Sequence, residues 1–222
     1  LATKLPCWAV KSLEDVDRLF EEQLSRLQTD YIDFYLLHAL NRGSFHNMVE
    51  LGCVKRLEQL KAEGKIRNLG FSFHDGYDAF EEIINYRDWD FCQIQLNYMD
   101  TQDGPGMRGY ELAEKKEIPL VIMEPVKGGS LACFAEDITE TFRKLDPEAS
   151  VASFALRWVG TLPHVKVVLS GINIIDSGCD SPVDHLLGLR LVDFSILCGR
   201  KTHTAKAQKG GLHSQPLHFS LF

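Results

Sequence analysis

The chain has no C-x-x-C pair, no Gly-rich phosphate fingerprint after its first strand, no membrane-length apolar run and no excess of positive charge. Each absence removes a class. Its six cysteines, Cys7, Cys53, Cys92, Cys133, Cys179 and Cys198, are scattered. That spacing argues against a zinc or iron–sulfur site and fits a reduced, cytoplasmic protein without disulfides. No apolar stretch is long enough to span a bilayer, and no signal-peptide pattern opens the chain. The net charge of −7 argues against a nucleic-acid or anionic-membrane partner. No Gly-rich fingerprint follows the first strand, which counts against an open, doubly wound dinucleotide-binding sheet. A starting Met is also missing: the chain opens Leu1-Ala2-Thr3-Lys4, which reads as a fragment or processed product.

What is present is a regular alternation. The 222 residues can bury a full core and read as one domain more readily than two. Tyr31 to His38 is an apolar run ending in a histidine, too short for a globular helix and suited to a strand buried on both faces. Further strands are predicted at Leu1–Leu5, Ile66–Phe71, Phe91–Leu96, Ile118–Met123 and Val165–Leu169. Between them come helical patterns. Ser12-Leu13-Glu14-Asp15 resembles a capping box ahead of Leu13, Val16, Leu19, Phe20, Leu24 and Leu27 at helical spacing. Helices are also expected over Leu51–Glu63, Tyr77–Tyr86, Gly109–Lys116, Ile138–Lys144 and from Pro147 to Val159, with Asn41–Asn47 as a polar loop.

The chemistry-bearing residues fall at strand ends: Lys4, His38, Ser72, Asn97, Glu124 and Ser170. Core packing does not explain six strands each ending in a polar group. A βα barrel with its site on the carboxyl face does. The expectation is therefore α/β, a (β/α)8 TIM barrel represented by about six of its eight βα units. It should fill residues 1–173, leaving 174–222 as a divergent, poorly ordered tail that lacks glutamate.

Longer motifs sharpen this. Ala2-Thr3-Lys4, the run Leu24 to His38, and Leu60-Lys61-Ala62-Glu63-Gly64-Lys65-Ile66-Arg67-Asn68-Leu69-Gly70-Phe71-Ser72 resemble the aldo/keto reductase family. Leu120 to Leu131 looks like the branch whose fuller members carry a C-terminal ferredoxin-like segment; the cysteines of that segment are absent, so no cluster is expected. The resemblance implies a barrel entered at its third strand and NADP(H)-dependent reduction of aldehydes and ketones.

It also implies residue roles. Lys4 matches the family lysine that stabilises a tyrosinate, and His38 the histidine that orients the carbonyl. Ser72 and Gln93 match positions that hold the nicotinamide carboxamide, which needs one donor and one acceptor. Phe73 stands where many members have Asn, and Met123 where many stack a tyrosine. Glu124, Pro125, Val126, Lys127 and Gly128 match the loop along the pyrophosphate; Ser170, Gly171 and Asn173 match the loop after the last strand. No metal site is implied. The family's catalytic tyrosine and its companion aspartate have no counterpart in this chain.

That gap leaves two readings. One is a soluble carbonyl reductase seen as an incomplete chain, with a small-molecule carbonyl substrate and its turnover in this form in question. The other is a non-catalytic nucleotide-binding or partner-binding barrel module. An incomplete barrel also leaves open sheet edges that invite association. Oligomeric state is not legible in the residues.

Overall fold

The computed structural model describes residues 1–169. Six strands form one sheet: β1 (Ala2–Leu5), β2 (Ile32–Leu40), β3 (Ile66–Phe73), β4 (Phe91–Gln95), β5 (Leu120–Met123) and β6 (Val165–Val168). All neighbours are parallel and follow chain order from β1 to β6. An order without reversal has no topological switch point, so among the described residues the sheet is barrel-like and not doubly wound. The helices between strands are α1 (Leu13–Leu27), α2 (Arg42–Glu50), α3 (Cys53–Ala62), α4 (Tyr77–Tyr86), α5 (Gly106–Lys115), α6 (Glu136–Leu145) and α7 (Val151–Gly160). None is long and apolar enough to cross a membrane.

Register sorts the side chains into two faces, because alternate residues of a strand point opposite ways. Leu5, Leu37, Phe71 and Cys92 lie in one row across β1 to β4. Their face meets the helices. The Phe20 ring of α1 stands edge-on to Tyr35 at 5.1 Å, and Phe71 packs on Trp89 at 4.9 Å and Phe80 at 6.0 Å. Each such fully buried side chain contributes about 2 kcal/mol relative to exposure. The other face carries Lys4, Leu36 and Gly70 in one row and Ser72, Gln93 and Val121 in the next. Gly70 belongs there for steric reasons. A Cβ on it would lie 2.6 Å from the Phe91 carbonyl oxygen and 2.7 Å from the Phe91 ring.

Local chemistry accounts for the element starts. Ahead of α1, the Asp15 carboxylate accepts the backbone N–H groups of Lys11 and Ser12 at 3.0 and 3.2 Å, as the capping-box reading anticipates. Three departures from expectation bear on the scaffold of the site. The organising strand runs on to Leu40 and bulges there: Ala39 has φ 53°, and the register with β3 shifts between Leu37 and Leu40. The expected loop at Asn41–Asn47 is instead the start of α2. Asn41 Oδ1 accepts the Ser44 N–H at 2.8 Å, Ser44 Oγ accepts the Asn41 N–H at 2.9 Å, and Phe45 and Met48 are buried. The final helix starts at Val151 after Ser150, so Pro147 lies upstream of it, outside the first turn. The expected boundary at 173 and the tail 174–222 lie outside the described residues.

Candidate functional site

Lys4 and His38 occupy adjacent parallel strands. Lys4 pairs in register with Leu36, and His38 lies two residues further along β2 on the same face. The β1 backbone at Lys4 is pinned by Gln23 of α1, whose Nε2 donates to the Lys4 carbonyl at 2.8 Å. Half-burial holds the Lys4 ammonium below its ordinary lysine value. Burial, then the nearby charges of Lys4 and His74, hold the His38 imidazole below its ordinary value, so it is neutral at pH 7. Trp8, in the short 3₁₀ turn Cys7–Ala9 after β1, sets its ring 4.9 Å from the His38 ring and is 68% exposed. Cys7 anchors that turn in the core, where burial pushes its thiol up to about 12.

Ser72 and Gln93 are register partners on β3 and β4 and both are buried. Ser72 Oγ accepts the Ala39 N–H at 2.8 Å, which satisfies the backbone group freed by the bulge beside His38. Gln93 Nε2 donates to Met123 Sδ at 3.1 Å. Among the described residues, the Ser72 hydroxyl hydrogen and the Gln93 carbonyl oxygen have no other partner, so one donor and one acceptor remain side by side.

The loop after β5 is tightly wound. Glu124, Lys127, Gly128 and Gly129 all have positive φ, from 49° to 95°. Pro125 is buried, while Glu124, Lys127 and Gly128 are exposed. The loop is bolted to the end of β4. Asn97 Nδ2 donates to the Glu124 carbonyl at 3.1 Å and to Asp100 Oδ2 at 2.8 Å. Gln95 Nε2 donates to the same oxygen at 2.9 Å, and Lys127 Nζ forms an ion pair with Asp100 Oδ1. Burial drives the Asp100 carboxyl up, but the hydrogen bonds from Lys127, Asn97 and Gln95 outweigh it and hold it below the ordinary carboxylate range.

The structure thus brings Lys4 and His38 together on one side, Ser72 and Gln93 in the middle, and 124–128 beyond them. Ser170, Gly171 and Asn173 lie outside the described residues. Sequence reasoning passed over Trp8, Ala39 and Asp100. The first two carry no signal of their own; Asp100 stands three residues after the strand-end Asn97, and the Asx-type turn between them was the available clue. His74 and Asp75 border a cleft of about 190 Å³ with Gln95 and Asp103 at the carboxyl ends of β3 and β4. A larger hollow, about 610 Å³, lies at the amino ends of β2 and β3 among Glu21, Gln28, Asp30 and Lys65. It is open and remote from every residue above, so its size does not make it the site.

The sequence profile of the Aldo/keto reductase family matches residues 1–177. Among curated proteins, the chain is 24% identical to the uncharacterized oxidoreductase YqkF of Bacillus subtilis, over 70% of this chain and 55% of that protein. It is 33% identical to the NADH-specific methylglyoxal reductase of Escherichia coli, over 40% of this chain and 27% of that protein. The chain therefore spans about half the length of the first of these and a smaller part of the second. Its fold is similar to that of aldo-keto reductase AKR11C1 from Bacillus halodurans, with a TM-score of 0.65 at 22% identity, covering 87% of this chain and 66% of that one. It is also similar to an aldo/keto reductase from Klebsiella pneumoniae solved with NADP and acetate, with a TM-score of 0.55 at 23% identity, covering 86% and 70%. Profile, strand order and the alignment of polar residues along the sheet converge: the chain belongs to the aldo/keto reductase family.

Proposed function

We propose that this chain carries the coenzyme-gripping part of a carbonyl reductase that uses NADP(H) to reduce aldehydes and ketones to alcohols in the cytoplasm. The observation that carries the reading is the unpartnered pair on adjacent strands, the Ser72 hydroxyl hydrogen and the Gln93 carbonyl oxygen. A nicotinamide carboxamide presents one acceptor and one donor, which this pair complements. When bound, the coenzyme supplies the hydride.

The chain's own residues do the rest. His38, neutral and ringed by Trp8, donates through a ring nitrogen to the substrate carbonyl and fixes its angle. Lys4, a few residues across the sheet, supplies positive field where charge develops on that oxygen. No residue among 1–169 is assigned the role of the general acid that delivers the proton. The 124–128 loop offers exposed backbone to the pyrophosphate. Lys127 is not an idle cation there: Asp100 holds it, so its first task is to fix the loop.

Coenzyme choice differs among the relatives. The Escherichia coli protein is named NADH-specific, whereas the Klebsiella pneumoniae structure contains NADP. Our reading takes NADP(H) from the family pattern. The second reading, a nucleotide-binding module without turnover, is favoured by the same donor–acceptor pair together with the missing acid. Titrating NADPH and NADH separately into the chain, with emission of Trp8 and Trp158 as readout, tests both. Saturable quenching that is tighter for NADPH supports the proposal, and aromatic-aldehyde turnover then separates enzyme from module. No saturation by either coenzyme would remove both.

A further inference from the structure

We propose that Ser72 is a positioning residue for His38: its hydroxyl oxygen locks the bulge in β2 that aims the imidazole across the sheet face. What His38 does rests on the carbonyl-reductase reading; how it is held does not. The task is separate from the contact of Ser72 with the carboxamide.

Three observations carry it. The first is a mismatch in residue number. Leu37 pairs with Phe71 and Leu40 with Phe73, so His38 and Ala39 together face Ser72 alone. Two-against-one bulges are rare between parallel strands, and they re-aim a side chain where they occur. In an unbulged strand residues 38 and 40 would share a face. The extra residue instead returns Leu40 to the helix-facing core beside Phe73, whose ring meets Phe80 of α4 at 5.3 Å, while His38 stays on the face of Lys4. The second is backbone conformation. Ala39 has φ 53°, in the left-handed region that an alanine occupies only where its surroundings hold it. The third is what does the holding. The Ala39 N–H donates to Ser72 Oγ at 2.8 Å, and beyond the bulge the His74 N–H donates to the Leu40 carbonyl at 2.8 Å. Ser72 is fully buried, so the Ala39 N–H has no water to fall back on if that oxygen is removed.

A hydroxyl suits this position because it accepts and donates at once. Its oxygen serves β2, and its hydrogen is left for a second partner. The imidazole then leaves a fixed backbone and meets the Trp8 ring at 4.9 Å.

The experiment follows the His38 ring-proton resonances of the full chain by NMR, assigned by their loss in His38→Gln. The ring current of Trp8 displaces them, and Trp8→Leu gives the undisplaced position. Ser72→Ala is expected to move them to that position. The buried Trp89 indole N–H, which donates to the Ile83 carbonyl at 2.8 Å, should keep its resonance and serves as the control for folding. Adding Ala39→Gly to Ser72→Ala should restore the His38 displacement, because glycine adopts the left-handed conformation freely. It should not restore NADPH affinity, which falls more than about fivefold in both variants with the loss of the hydroxyl donor. His38 resonances unmoved in a folded Ser72→Ala would overturn the proposal. So would a folded double variant in which they stay undisplaced, and that comparison holds even where Ser72→Ala alone fails to fold. A wild-type chain that binds no NADPH would remove the coenzyme reading, while the His38 resonances still decide the role of Ser72.

Discussion

The two ends of the polar row are built on opposite terms. At the β4–β5 end, Asp100 is 2% exposed and its carboxylate is fully answered: Lys127, Asn97 and Gln95 converge on it. At the β1–β2 end, Lys4 and His38 are half-buried with no anion among the described residues, and an exposed tryptophan rests on the histidine. Both ends use the same scaffold of parallel strands followed by loops. The difference teaches what each is for. A closed network holds a loop in one shape, since breaking it strands a buried charge. An open set of bases leaves capacity for a ligand, because charges that lack internal partners must find them elsewhere.

The largest effect should come from breaking the closed end. Asp100→Ala leaves the Lys127 ammonium and two amides without their acceptor and is expected to cost about 3 kcal/mol in urea unfolding. The sign of its pH dependence follows from a carboxyl held low in the fold. That stability is fully present above the unfolded value of about 3.9 and is lost as pH falls through the lower folded value. Wild type should therefore lose more stability than Asp100→Asn as pH drops below about 4. Equal acid limbs would show that the network contributes nothing.

A middle-sized effect is expected where the two ends meet. Ser72→Ala removes the acceptor of the Ala39 N–H at the bulge, so a buried donor loses its partner at a cost of about 1.5 kcal/mol. It also removes half of the donor–acceptor pair. Coenzyme affinity should fall more than about fivefold, whereas a purely structural serine would lower stability with affinity unchanged.

The smallest effect, with the opposite sign, belongs to the open end. Lys4→Met should be stabilising by about 0.5 kcal/mol near neutral pH, because it replaces a partly desolvated, uncompensated charge; the gain is small since much of the side chain faces water. A lysine held below its ordinary value makes the native state release its proton first. Wild-type stability then recovers as pH rises through that folded value, so the advantage of Lys4→Met should shrink in alkali. A clear loss of stability in Lys4→Met would mean that the open end is compensated after all.

These contrasts were only partly legible in the residues. The six strands and their order were readable because each strand is a short apolar run between helical patterns, a property of neighbouring residues. His38 and Ser72 were readable as strand-end groups. The helix at Arg42–Glu50 was missed because its polar opening, Asn41-Arg42-Gly43-Ser44, looks like a loop until Asn41 and Ser44 are seen to cap each other. Asp100 was missed for a different reason. Its ion-pair partner Lys127 is 27 residues away, and only the pairing of β4 with β5 brings the two loops together.

What this sequence determined by itself is periodicity: which runs are strands, which faces of the helices are apolar, and that helix and strand alternate in a parallel sheet. Those follow from local sterics and from burying apolar surface. What only the tertiary structure decided is which polar groups find partners. Ser72 meets Ala39, Trp8 meets His38 and Lys127 meets Asp100 because of strand register and loop closure. Register is a relation between distant segments, and hydrogen bonds act over about 3 Å, so a shift of one residue would turn the strand side chains Ser72 and His38 to the other face and carry the loops away from their partners.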